Sequence, residues 1–166
     1  MDRLYVDSGA FIAYFDGTDQ YHFAATAFFE EVKRKRSPLL TMNYVLNETY
    51  TWLQRKPGLG YLSALRFGNW FKGLSSPAEL REGRSARAGQ QGPRLEVIDS
   101  RNLFAVVFSS PEIEDEAWRL FNRYCPLGAT YTDCVSFAVM ALLGLERAFT
   151  FDEHFAAAGF VRVPKG

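Results

Sequence analysis

Cysteine and histidine are scarce in this sequence, two of each among 166 residues. Cys125 and Cys134 stand apart from each other and outside any CxxC or Cys/His cluster, which excludes a disulfide framework and argues against zinc. An excess of charge of one sign is also missing. Lys plus Arg and Asp plus Glu both number 19, so the formal net charge is zero. A protein that coats nucleic acid by bulk charge is thereby excluded, and any RNA or DNA contact must be a local patch. Long apolar runs are absent as well. The longest nearly apolar run, Val135 to Leu145, is too short to span a bilayer, and Met1-Asp2-Arg3-Leu4 lacks the apolar stretch of a signal peptide. No membrane association and a reducing, cytoplasmic setting are expected.

What is present has the composition of one globular domain over 1–166: 48% hydrophobic and 23% charged residues. A chain of this length buries roughly 70% of its unfolded surface and needs no covalent staple. Leu4-Tyr5-Val6 and Leu39-Leu40-Thr41 predict buried strands, each followed by a helix, from Ser8 and from an Asn43 cap. The helix over Gln20–Arg36 places Phe23, Ala24, Ala27, Phe28 and Val32 at helical spacing. A further helix over Tyr61–Lys72 carries apolar Leu62, Leu65 and Trp70. Ser75 to Pro93 has almost nothing to bury and predicts a flexible loop or insertion. Leu95–Ile98 and Leu103–Phe108 are strand candidates that can form a hairpin across Asp99–Asn102. Glu112–Tyr124 predicts a helix whose first-turn acids, Glu112, Glu114 and Asp115, are expected in solvent. Thr130 or Thr132 caps a buried helix over Asp133–Leu145, and a last core strand, Ala148–Phe151, is followed by a short helix near His154 and a strand over Phe160–Val163. Strands alternate with helices, so the fold class is α/β with a central, mainly parallel sheet flanked by helices.

In such sheets, sites form at the carboxyl ends of the strands. Asp7 and Asp152 each follow an apolar strand. Glu48 sits one helical turn from Tyr44 and from Trp52, and Asp133 opens a helix that is apolar almost all round. These are four acids on four separated elements. Gathered within ~6 Å at an effective dielectric near 20, each pair repels by roughly 3 kcal/mol, and six pairs by on the order of 15 kcal/mol. That exceeds the net stability of a typical domain. Such a cluster requires cations, and oxygen-only ligands suit Mg²⁺ or Mn²⁺ rather than zinc. One or two such ions would acidify a water and offset charge on a phosphodiester, with no protein nucleophile.

The ordered set Val6-Asp7-Ser8-Gly9-Ala10-Phe11-Ile12-Ala13, Asn47-Glu48-Thr49, Tyr131-Thr132-Asp133-Cys134-Val135-Ser136-Phe137-Ala138 and Thr150-Phe151-Asp152-Glu153-His154-Phe155 resembles the PIN domain. The chain is most similar there to VapC-type toxins of toxin–antitoxin pairs. The resemblance implies a single PIN-like nuclease domain acting as a Mg²⁺- or Mn²⁺-dependent endoribonuclease, with Asp7, Glu48, Asp133 and Asp152 as metal-holding catalytic acids. It also implies Ser8 and Thr132 as supporting residues, RNA as substrate, a cognate antitoxin and a homodimer. The segment 76–102 departs from the family as an insertion, and Phe104–Phe108 is favoured as the core strand. Its Arg81, Arg84, Arg87, Arg94 and Arg101 suit a solvated loop first and an RNA-contacting arm second. Two other readings compete with the nuclease. One is a catalytically silent PIN-like module that binds antitoxin or RNA. The other is a phosphohydrolase with Asp7 as nucleophile, which Gly9 disfavours because that chemistry wants a second acid there. His22 and His154 are expected to be structural or exposed, and Trp52, Trp70 and Trp118 to serve packing.

Overall fold

Runs that are apolar on both sides form strands only where helices cover both faces of a sheet. Leu4–Val6 (β1) and Leu39–Met42 (β2) are such runs, and every residue of both is buried. The computed structural model describes residues 3–84, 91–97 and 102–164. Five further strands complete one sheet: Ser75–Arg84 (β3), Gln91–Val97 (β4), Phe104–Val107 (β5), Arg147–Phe149 (β6) and Val161–Val163 (β7). Their order is β4-β3-β5-β2-β1-β6-β7. All neighbours run parallel except β3 and β4. From β1 the chain moves outward to β2 and returns on the opposite side as β6. The order therefore reverses beside β1, where an open α/β sheet leaves a crevice at its carboxyl edge.

Side chains alternate across a strand, which divides the helices between two layers. Val6 and Phe149 are paired in register, and Phe149 packs edge-on against Phe28 and tilted against Phe29 of α2 (His22–Lys35). Tyr5 points the other way, to Ser136 of α6 (Tyr131–Leu143) and Phe155 of α7 (Glu153–Ala157). On the α2 side, Phe11 of α1 (Ser8–Phe15) is the hub of an aromatic cluster. It meets Phe29, Phe104, and Phe67, Trp70 and Phe71 of α4 (Gly60–Lys72). The remaining long helices are α3 (Asn43–Arg55) and α5 (Pro111–Tyr124). No helix among the described residues is long and apolar enough to cross a membrane. Cys125 is exposed, Cys134 is buried, and both are free.

Several local expectations change. α2 buries Ala25, Phe29 and Val32, and leaves Phe23 85% exposed. Val32 and the half-buried Phe28 of the expected face stay packed, and the face is turned toward Phe29, which meets both Phe11 and Phe149. α4 likewise buries Phe67 and Phe71, while Leu62 and Leu65 are 59% and 58% exposed. Asn43 is the first residue of α3 rather than its cap, and its side-chain oxygen instead accepts from the Ser109 amide at 3.1 Å.

The largest difference lies in Ser75–Pro93, expected as a loop. Ser75–Ala78 extends the sheet parallel to Phe104–Val107, and β3 then pairs antiparallel with β4 from Ala78–Val97 to Arg84–Gln91. Backbone ladders need no apolar side chains, so a segment with little to bury can still extend an open strand edge. β4 borders β3, not β5, so the hairpin between Leu95–Ile98 and Leu103–Phe108 does not form. Ile98 and Asp99–Arg101 lie outside the described residues. β5 is the fully buried strand beside β2, as favoured. Arg81 of β3 and Arg94 of β4 are register partners, Arg84 ends β3, and Arg87 and Arg101 lie outside the described residues.

Candidate active site

Four elements deliver acids to the carboxyl edge beside β1. Asp7 follows β1 and caps α1, its Oδ2 accepting from the Gly9 amide at 3.3 Å. Its own amide donates to the Phe149 carbonyl, carrying the β1–β6 pairing one residue beyond the strands. α3 buries Val45, Thr49 and Leu53 at i, i+4 and i+8, which leaves Glu48 half-buried at the edge of that face. Asp133 is the third residue of α6, and with Thr130 it forms a reciprocal capping box. Asp152 caps α7. Capping and participation in the acidic pocket are compatible for Asp133: its Oδ2 accepts from the Thr130 amide at 2.7 Å, and one of its carboxylate oxygens lies within 4.8 Å of donor atoms of Asp152 and His154.

Hydroxyl groups tie these acids together. Ser8 Oγ lies 2.8 Å from Glu48 Oε2 and 3.4 Å from Asp7 Oδ1, so its one proton goes to the closer Glu48. Thr150 Oγ1 donates to Asp7 Oδ2 at 3.0 Å and accepts from the Asp152 amide at the same distance. A single threonine therefore links the first acid to the fourth. The expected supporting threonine, Thr132, contributes through its backbone, where its carbonyl accepts from Ser136 Oγ. Thr150 was readable only as part of the Thr150-Phe151-Asp152 run.

The pocket is electrostatically strained. Asp7 is 3% exposed. Burial, aided by the Asp133 and Glu48 charges, pushes its carboxyl up to about 7. Burial also raises Glu48, with Asp133 and Asp152 adding to the effect against the Ser8 hydrogen bond. Asp133 is raised by burial and then by Asp152.

One oxygen each from Asp133 and Asp152 and one nitrogen of His154 lie within 4.8 Å of one another, the spacing of donors around a metal ion. Asp7 and Glu48 stand outside that tightest group. His154, expected to be structural or exposed, is thus part of the pocket. Its Nε2 faces the Leu127 carbonyl at 3.0 Å and its Nδ1 faces Asp152 Oδ1 at 2.7 Å. A carbonyl only accepts, so Nε2 carries hydrogen. The Leu127 and Asp152 contacts raise the imidazole above its ordinary value. The donor set, mainly carboxylate oxygens with raised proton affinity, fits a hard divalent ion.

Glu114 overturns the expectation of a solvated acid. It accepts from Tyr44 Oη at 2.9 Å, from Tyr131 Oη at 2.6 Å and from Ser109 Oγ. Against the upward push of burial, these three hydroxyls hold its carboxyl below the usual range. Glu114 thus pins α3, the end of β5 and the first turn of α6, two residues before Asp133. The Glu114→Gln variant keeps the size but gives up the charge that strengthens these bonds. We expect it to lose about 1–3 kcal/mol of stability by denaturant unfolding. The Glu114→Asp variant, too short to reach all three partners, should fall in the same range.

The fold and this pocket define a class. The PIN domain family matches the chain over residues 4–161, and the chain belongs to that family. Among known proteins, the 23S rRNA-specific endonuclease VapC20 of Mycobacterium tuberculosis, from strains CDC 1551 / Oshkosh and H37Rv alike, is 27% identical over 160 residues, 96% of this chain and 97% of the relative. The crystal structure of M. tuberculosis VapC20, described as a Sarcin-Ricin loop cleaving toxin, matches with a TM-score of 0.66 at 24% identity, covering 95% of this chain and 96% of that one. VapBC2 of Rickettsia felis, solved bound to a DNA fragment from its promoter, matches with a TM-score of 0.59 at 7% identity over 96% of each chain. These structural likenesses carry the fold.

Proposed function

We propose that this chain is a Mg²⁺- or Mn²⁺-dependent endoribonuclease, the cytoplasmic toxin of a type II toxin–antitoxin pair. The observation that carries the proposal is the gathering of Asp7, Glu48, Asp133 and Asp152 at one sheet edge, with three of the four carboxyls pushed toward the neutral form. Similarity to VapC20 over nearly the full length of both chains supports RNA as the substrate.

In this proposal Asp7, Glu48 and Asp133 hold the ion, and Asp152 completes the pocket or helps hold a second. A bound divalent ion supplies the acidification of a water and the offset of phosphodiester charge. The chain supplies position. Ser8 fixes Glu48 against Asp7, Thr150 fixes Asp7 against the start of α7, and the Thr130 cap fixes Asp133. Thr132 holds its place in the first turn of α6 beside Asp133. The apolar side chains that α4 leaves in solvent, Tyr61, Leu62 and Leu65, support a homodimer or an antitoxin contact.

The test is 5′-end mapping on total RNA and on isolated 23S rRNA, with Mg²⁺ or Mn²⁺ and with chelator. Discrete cuts that require the divalent ion are expected. Their absence on every RNA, with no metal-dependent gain in thermal stability, would instead leave a catalytically silent binding module.

A further inference from the structure

α3 has a second role that the acidic pocket does not use. Beyond Glu48 its solvent side forms a shallow, open groove of about 330 Å³ along one helix face, lined by Glu48, Thr51, Trp52, Arg55 and Lys56. Glu48 belongs to both the groove and the pocket, so the two are continuous. From Glu48 to Lys56 the groove follows about 12 Å of helix axis.

Its chemistry is opposite to that of the pocket. Lys56 Nζ lies 5.0 Å from the centroid of the Trp52 ring and 3.8 Å from Asp16 Oδ2. The Asp16 side chain is only 2% exposed. Its carboxylate is fixed by the Thr18 hydroxyl at 2.6 Å and the Thr18 amide at 2.9 Å. The ammonium is therefore held in place by a ring and by an anchored carboxylate, which lowers the entropy a mobile lysine loses on binding an anion. Arg55 is exposed, Trp52 is half-buried, and both line the groove. An aromatic side chain that shares one surface with two cations, Arg55 and Lys56, is a pattern that binds single-stranded nucleic acid, with bases stacking and phosphates pairing. An acidic peptide would use the cations but leave the indole without a partner.

We infer that Trp52, Arg55 and Lys56 form a nucleotide-binding subsite that receives the single-stranded RNA flanking the scissile phosphate, with a base against Trp52 and a phosphate between Arg55 and Lys56. This rests on the ribonuclease reading above. The net charge of zero fits it, because a local pair of cations leads the strand to a pocket that would otherwise repel it.

The experiment uses the full chain carrying Asp7→Asn, so that RNA is bound and not cut, and a labelled single-stranded RNA of about 20 nucleotides followed by anisotropy. Trp52→Ala should weaken binding about tenfold. Arg55→Gln with Lys56→Gln should do the same, and should reduce the slope of log K against log salt by about 0.7, the contribution of the one phosphate the pair holds. Lys72→Gln is the control. It ends the helix that leads to the amino end of β3, across the sheet from the pocket, and should change the slope little. RNA should quench tryptophan emission in the parent, and a Trp52→Phe variant that still binds should lose that component. In the cleaving background the same substitutions should raise KM and leave kcat within about twofold, the sign of lost uniform binding.

If the parent cleaves and binds RNA while all three substitutions leave affinity, slope and quenching unchanged, the subsite is wrong and the nuclease stands. If the parent neither cleaves nor binds any RNA, the nuclease reading falls and the subsite falls with it. If Trp52→Ala and the double variant fail only in thermal stability, with affinity per folded molecule intact, the three residues serve packing.

Discussion

Replacing Asp7 with Asn should abolish cleavage, by roughly a thousandfold or more, while leaving the metal-free protein at least as stable as the parent at pH 8. A thousandfold corresponds to about 4 kcal/mol of lost transition-state stabilisation. The unusual half of the prediction is the stability. Aspartate is the cap of α1, and asparagine caps equally well, so the bond from the Gly9 amide survives. The Thr150 hydroxyl can donate to the amide oxygen as it does to the carboxylate. What the variant removes is a charge that burial and two neighbouring acids oppose. Primer extension on RNA and denaturant midpoints in chelator, with the m-value unchanged, measure the two halves. Wild-type cleavage in the variant would take Asp7 out of the chemistry. A lower midpoint in chelator would mean that the ionised carboxylate holds the fold together and is not a strained ligand awaiting a cation.

The same residues show what could be seen before the structure. The alternation of apolar runs placed β1, β2, β5, β6 and the parallel sheet, because strands buried on both faces leave a strong mark in composition. Asp7 and Asp152 were legible because each follows such a strand, Asp133 because it opens a helix that is apolar almost all round, and Glu48 because it is a charge between two aromatics on one helix face. Helix faces were less legible. α2 and α4 each carry more apolar residues than they bury, and only partners distant in sequence, Phe11 and Phe149 above all, decide which are buried. Least legible were residues whose role lies in a hydrogen bond across the chain. Thr150 is 143 positions from Asp7, Glu114 is 70 from Tyr44, and His154 reaches back 27 to Leu127. No local pattern encodes such pairings. β3 escaped for another reason: its place in the sheet comes from backbone pairing, which side-chain composition does not report.

The stability of the metal-free protein should fall as pH rises from about 5 to 8, and divalent cations should reverse the trend. Asp7 has an ordinary carboxyl value of 3.8 in the unfolded chain and about 7 in the fold. Below both values the group is neutral in each state and has no differential effect. Between them the unfolded chain releases its proton while the fold retains it, so the unfolded state binds fewer protons and stability drops with pH. Above 7 the full penalty applies, roughly 4 kcal/mol for a difference of about three units. Glu48 and Asp133 are raised as well and act in the same direction. His154, also raised, contributes stability that is lost as its imidazole deprotonates, again on the alkaline side. Two groups oppose them at the acid end. Asp16 and Glu114 are held low by hydrogen bonds that outweigh burial, so their contribution is lost as pH falls through their folded values. The metal-free curve should therefore peak near pH 4, where the unfolded carboxyls ionise, and fall from there toward pH 8. A divalent ion binds the ionised carboxylates and stabilises the fold by mass action. The difference in melting temperature between Mn²⁺ and chelator should accordingly be small at pH 5 and several degrees at pH 8. In the Asp7→Asn variant both the alkaline fall and the metal gain should shrink. A metal-free protein whose stability rises steadily from pH 5 to 8 would show that these acids are not gathered in a buried pocket. A metal gain independent of pH would show that the ion binds elsewhere.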